Sequence, residues 1–241
     1  MHGLFAGLGV VFGLVFYAYE RRRRGLTDHR LWTLAGFAVA FGAIGSRILT
    51  WDFTSRPSME DWWVNGDRSV LAGLVGAWLG IHLGKRLIGY RESTGDLFAP
   101  AVALSMAVGR IGCLLTELPG TPTGGQWGLF LSPDQAALFG GQAGVGLHPS
   151  FAYEIAFHAA AFGLMWRFRD SLARPGDLFV CYVTAYALFR FAVEFVRGNH
   201  VLWLGLSGPQ WFLLVMLPLL GWRVQKVFAA RRPARLEGQV A

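Results

Sequence analysis

Counting from Tyr182, the chain sets Tyr186, Arg190, Glu194 and Arg197 at offsets of 4, 8, 12 and 15 residues, a series that shares one face of a helix. All lie in the apolar run Leu178–Arg197. A charge in such a run, if lipid surrounds it, costs several kcal/mol unless it finds a partner or a wet cavity. Arg110 sits in a second run, Leu97–Leu115, with Glu117 just beyond it. Arg47 is near the end of Leu31–Thr50, and His148, Tyr153 and Glu154 surround the start of Phe151–Trp166. The plainer reading is a self-satisfied network of Arg190, Glu194 and Arg197, with Glu154 and His158 as an intrahelical pair. It leaves Arg110 over, because one carboxylate cannot neutralise three or four guanidiniums at one depth. Surplus positive charge in a cavity calls for an anion. The planar donor fork of Arg suits phosphate, and at membrane depth the abundant phosphates are phospholipid headgroups. The expected ligand is an anionic phospholipid.

The elements that must position these groups are set by hydropathy. With 54% hydrophobic and 15% charged residues among 241, and a mean hydropathy of +0.40, the composition does not suit a water-exposed surface. Seven runs, Gly3–Tyr19, Leu31–Thr50, Val70–Leu87, Leu97–Leu115, Phe151–Trp166, Leu178–Arg197 and Pro209–Val227, are each near the ~20 residues a helix needs to cross hydrocarbon. The expected fold class is an all-α membrane protein, a bundle of about seven transmembrane helices. Of 22 Lys and Arg, sixteen fall on alternate connections and the C-terminal tail, including Arg21 to Arg24, Lys85, Arg86 and Arg231. Cationic loops resist translocation, so that side is cytoplasmic, with the N-terminus outside and the C-terminus inside. This orientation gathers the intramembrane charges in the outer half of the bilayer. The expected organisation is one transmembrane domain over 1–228, with outer loops 51–69 and 117–150, and a basic cytoplasmic tail at 229–241. Acidic and Trp residues in the first loop suit an interfacial element, and Leu129-Phe130-Leu131 in the second suits a short strand or turn.

The same charge placement excludes nucleic acid as a partner, because the net charge of +7 reflects topology rather than a patch. Arg21–Arg24 after the first run is the reverse of a cleavable signal peptide. His2, His82, His158 and His200 each read as satisfied or interfacial histidines. No local spacing marks a metal site, and neither a zinc-protease nor a Gly-x-Ser-x-Gly motif occurs. No metal and no cofactor are expected. Cys113 and Cys181 fall toward opposite ends of their helices, too far apart for a disulfide.

Four segments in order carry a resemblance. Gly109-Arg110-Ile111-Gly112, Glu117-Leu118-Pro119-Gly120, His148-Pro149-Ser150-Phe151-Ala152-Tyr153-Glu154, and the Tyr186, Arg190, Glu194, Arg197 series together resemble prolipoprotein diacylglyceryl transferases. The resemblance implies a seven-helix enzyme of the bacterial inner membrane, with its cavity toward the extracytoplasmic side. Such an enzyme moves the diacylglyceryl group of phosphatidylglycerol to the lipobox cysteine thiol of a secreted preprolipoprotein. Phosphatidylglycerol and the preprolipoprotein signal peptide are then the partners. By resemblance Arg110, Arg190, Glu194 and Glu117 are catalytic, and Arg110, Arg197, Tyr186, His148 and Gly120 bind substrate. The chain departs from the family at three places. Leu71-Ala72-Gly73 stands where the family has His-Gly-Gly, whose histidine is proposed as a base; Cys113 stands where it has Asn; and His-x-Tyr-Gly is reduced to His2-Gly3. His2 or His148 could act as base, or the cationic cavity alone could suffice. The departures keep an alternative open, a homologue that binds or remodels a phospholipid without modifying lipoproteins. A non-enzymatic carrier lacks the repeats and broken helices it would need.

Overall fold

The computed structural model describes residues 2–48, 69–171 and 174–229. The elements are α1 (His2–Arg23), α2 (Arg30–Ile48), α3 (Val70–Leu87), α4 (Gly95–Thr116), β1 (Leu129–Phe130), α5 (Pro133–Phe139), β2 (Gly146–Leu147), α6 (Ser150–Phe168), α7 (Asp177–Val193), a 3-10 turn (Glu194–Val196), β3 (Val201–Trp203), β4 (Leu206–Ser207) and α8 (Gly208–Ala229). Each apolar run becomes a long helix, and Val70–Leu87 matches α3 residue for residue. Among the described residues, α1, α2, α4, α7 with its 3-10 turn, and α8 are long and apolar enough to cross a membrane. The chain is a predominantly helical membrane protein. Large apolar side chains such as Val215 and Leu219 of α8 stand exposed, as a lipid-facing surface requires. The interfacial element expected within 51–68 and the tail at 230–241 lie outside the described residues.

The chain divides into two compact units. The unit of residues 22–92 is the α2–α3 pair. Asp28 accepts the Arg30 backbone N–H at 2.9 Å and its Nε at 3.0 Å, fixing the start of α2, and the guanidinium holds this exposed carboxyl below its usual range. Along the pair, glycines let the backbones touch: a Cβ on Gly45 would lie 2.8 Å from the Ala72 carbonyl, and one on Gly76 would strike the Phe41 carbonyl. Gly76→Leu should therefore destabilise this pair by roughly 3 kcal/mol, since the obstacle is backbone that cannot swing aside. Gly36→Leu, on the same pair but facing open space, should leave the thermal midpoint in detergent nearly unchanged.

The second unit holds α1 and everything from residue 93 onward. Its core is Ala99, Ala103, Met165, Leu178 and Tyr182, where α4, α6 and α7 meet. Asp96, in the first turn of α4, accepts the N–H groups of Gly176 at 2.8 Å and Leu178 at 3.0 Å. One carboxylate thus satisfies orphan donors at the start of α7 and pins that helix to α4. The loop expected as a strand or turn forms the β1–β2 pair, with Leu129 opposite Leu147. Beside it, α5 begins at a capping box of Ser132 and Gln135 and ends on left-handed Gly140.

Candidate functional site

With the start of α7 held by Asp96, its buried face carries Tyr182, Tyr186 and Arg190 in line. The α-helix stops at Val193, and Glu194–Val196 tightens into a 3-10 turn. There the chain turns by about 120° per residue in place of 100°, so Arg197, the C-cap of this turn, no longer keeps the α-helical register of the residues before it. Arg190 donates to Glu194 one helical turn on, and Glu194 also accepts from Asn199 Nδ2 at 2.7 Å and Ser207 Oγ at 2.6 Å. Asn199 precedes β3 and Ser207 ends β4, so both ends of the β3–β4 hairpin are tied to one buried carboxylate.

Arg197 instead donates to Glu154, fully buried on α6, whose other oxygen lies 2.7 Å from Arg110 Nη2. The Tyr186 hydroxyl also donates to Glu154, at 3.4 Å. Glu154 is therefore the shared counter-ion of two guanidiniums rather than the partner of His158. His158 Nδ1 lies 3.0 Å from the Tyr182 hydroxyl, and its buried Nε2 has no hydrogen-bond partner. Both guanidiniums also stand over the Phe151 ring, Arg197 at 4.5 Å and Arg110 at 5.9 Å from its centroid.

This cluster thus sets three guanidiniums, those of buried Arg110 and Arg190 and largely buried Arg197, against two buried carboxylates, Glu154 and Glu194. One positive charge is in excess, and the buried Arg110 Nε has no hydrogen-bond partner. A buried donor without a partner costs about 1–3 kcal/mol, and an excess buried cation more. An anion with several acceptor oxygens relieves both, and phosphate is such an anion.

The loop between α4 and α6 closes beside this cluster. Thr121 N donates to the Val196 carbonyl at 2.9 Å, His148 N to the Thr121 carbonyl at 2.9 Å, and Ser150 Oγ to the Pro119 carbonyl. Gly120 lies in this stitch, where a Cβ would strike the Val196 carbonyl and come within 2.7 Å of the His148 carbonyl. His148 is oriented by Tyr153, with Nδ1 3.2 Å from the hydroxyl, and by the edge of Trp127. Arg47, buried at the end of α2, belongs to the other unit.

Glu117 is not among the arginines' carboxylates. It ends α4 and lies 3.1 Å from His2 Nδ1, while Cys113, one turn earlier, has its Sγ 3.8 Å from the same nitrogen and 3.7 Å from Arg110 Nη1. The close fit of α1 on α4 makes this possible, since Gly112 leaves only room for the His2 backbone and the Phe5 side chain. Sequence reasoning missed Asn199, Ser207 and the role of Glu154. It also missed the meeting of His2 with Cys113, which lies 111 positions away. Nothing in local spacing could have disclosed that meeting.

Comparison with known proteins agrees with the four ordered segments. A family model described as prolipoprotein diacylglyceryl transferase matches residues 1–222. A phosphatidylglycerol–prolipoprotein diacylglyceryl transferase of Dehalococcoides mccartyi is 30% identical over 232 residues, covering 90% of this chain and 85% of the relative. One from a second strain of that species is 29% identical over 244 residues, covering 93% and 89%. A protein of the same name from Leifsonia xyli is 27% identical over 240 residues, covering 90% and 72%.

Proposed function

The chain belongs to the prolipoprotein diacylglyceryl transferase family, a family of transferases, and from that premise we propose that it moves the diacylglyceryl group of phosphatidylglycerol onto the lipobox cysteine thiol of secreted preprolipoproteins. The observation that carries the reading is the excess guanidinium of the Arg110, Arg190, Arg197 cluster, with the Arg110 Nε donor left open. A thiolate attacks the glyceryl carbon, the S–C bond forms, and the C–O bond breaks toward phosphate. Glycerol phosphate leaves with the electron pair and gains negative charge. Fixed cations at that phosphate stabilise the charge as it develops and need no reorganisation. Arg110 and Arg197 bind the headgroup, Arg190, positioned by Glu194, holds the leaving phosphate, and Tyr186 keeps Glu154 in place. His148 and Gly120 shape the loop over the lipid, and Glu117 stands at the mouth of the cavity.

In this reading seven helices cross the bacterial inner membrane, with the N-terminus outside, the basic tail in the cytoplasm and the cavity open to the extracytoplasmic side. Membranes containing the protein, supplied with phosphatidylglycerol labelled in its acyl chains and a lipobox peptide, should label the peptide cysteine. Leu71 and Cys113, at positions where the family carries His and Asn, favour a second reading in which lipid is bound without transfer. Headgroup binding with an unlabelled peptide would select it, and absence of both would sink the two together.

Gly120→Ala tests the loop's part in positioning. The added methyl presses on the Val196 carbonyl, next to Arg197, and a shift on the order of 1 Å at a positioning group costs up to ~10²-fold in rate. Transfer should fall by about that factor while the thermal midpoint moves only a few degrees. An equal loss in both would make Gly120 a folding residue alone.

A further inference from the structure

We propose that His2, Cys113 and Glu117 form a site for a thiophilic divalent cation of the zinc class, whose open fourth position takes the acceptor cysteine as its thiolate. The second half of the proposal rests on the transfer reading above. One thiol, one imidazole and one carboxylate offer donor atoms that all lie within 4.8 Å of one another. A tetrahedral zinc with ordinary bond lengths spaces its sulfur and nitrogen donors by about 3.6 Å and its nitrogen and oxygen donors by about 3.4 Å. The corresponding separations here are 3.8 Å for Sγ to Nδ1 and 3.1 Å for Nδ1 to Oε1, so both edges that meet at His2 match within a few tenths of an ångström, and the third, from sulfur to carboxylate, lies within 4.8 Å.

Three protein ligands with a vacant fourth position is the pattern of catalytic zinc rather than structural zinc. Exposure fits as well: Cys113 is buried, whereas the side chains of His2 and Glu117 keep 33% and 40% of their surface open. Arg110 supplies the outer layer, its Nη1 donating toward Cys113 Sγ at 3.7 Å while its Nη2 is paired with Glu154. A hydrogen bond to a ligating sulfur orients it and supports its thiolate form. Arg110 therefore stands between the cation and the phosphate site, one hydrogen bond from each. The acceptor thiol, on coordination, loses its proton to solvent. Its sulfur then attacks the glyceryl carbon, and the electron pair of the broken C–O bond leaves with glycerol phosphate. Such a cation would supply the thiol activation that Leu71 cannot.

The test uses the full chain in lipid nanodiscs, stripped by chelation and reloaded with Zn²⁺ or Co²⁺. Cobalt should give a thiolate-to-metal charge-transfer band in the near ultraviolet, lost in Cys113→Ser and in Cys113→Asn and weakened in His2→Gln and in Glu117→Gln. The half-buried His2 and Glu117 positions guard against a Cys113 variant that fails to fold. A band that survives Cys113→Ser, or protein that retains neither metal, overturns the site. Peptide labelling should stop on chelation and return with zinc. Full labelling by metal-free protein overturns the thiol-activating role. A cobalt band with no labelling in either state leaves the cation site standing and fails the transfer reading. Labelling without any bound metal does the reverse.

Discussion

Replacing Arg110 by alanine should lower diacylglyceryl transfer by about 10²–10³-fold, the usual loss when one donor to a developing anion is removed from a closed site. Arg110 is the choice because the proposed reaction places it between the phosphate and the thiol. It binds Glu154 at 2.7 Å and lies 3.7 Å from Cys113 Sγ, and its Nε is the donor left for a headgroup oxygen. The comparison that isolates the phosphate role is Arg110→Lys. Lysine keeps the charge but loses the planar fork, so it should recover only part of the rate. Labelled-lipid transfer to a lipobox peptide, read with headgroup binding, checks both variants. Full activity in Arg110→Ala would remove this residue from the site.

Glu154→Gln should be the most destabilising single change in this unit, by about 3–5 kcal/mol, because it leaves two buried guanidiniums without their carboxylate. Burial on α6 denies them water, and the glutamine amide offers one acceptor where two were used. The cause can be checked with a second substitution. Removing Arg197 as well, in Glu154→Gln with Arg197→Ala, takes away one stranded charge and should return part of the lost stability, a coupling that independent sites would not show. Thermal unfolding in detergent reads this directly. If the single variant is as stable as the parent, Glu154 is not the keystone of the cluster, and the charge balance behind the phosphate reading is wrong.

Losses at Glu194 have a separate cause. That carboxylate holds Arg190, Asn199 and Ser207, so its removal also frees both ends of the β3–β4 hairpin. The hairpin exposes Leu202 and Trp203, and Trp203 stacks on Trp211 at the start of α8.

Much of this was legible in order along the chain. Hydropathy marked every long helix, because a span's apolar length is set by bilayer thickness and needs no knowledge of neighbours. The offsets in Leu178–Arg197 put Arg190 and Glu194 one turn apart, and the structure pairs them. The surplus of cations was visible from residue types, although its size was not. Counting Glu154 as a partner of His158 overstated the excess, which is one charge in the cluster of Arg110, Arg190 and Arg197. The four ordered segments carried the family. By contrast, Arg197 follows a helix that ends in a 3-10 turn, and its partner could not be read from an α-helical offset.

What the sequence determined by itself is therefore what depends on local period and composition: the long helices, the lipid as their solvent, the arginines that must find anions, and the family. Tertiary structure alone decided that Glu154 serves both Arg110 and Arg197, and that His2, Cys113 and Glu117 meet. Glu154 and Arg197 are 43 positions apart, and His2 and Cys113 are 111. Side-chain pairing at such separations follows from how closely one helix packs on another. The packing of α1 on α4 at Gly112, the Asp96 tie to α7 and the 3-10 turn after Val193 set those distances, and no local pattern encodes them.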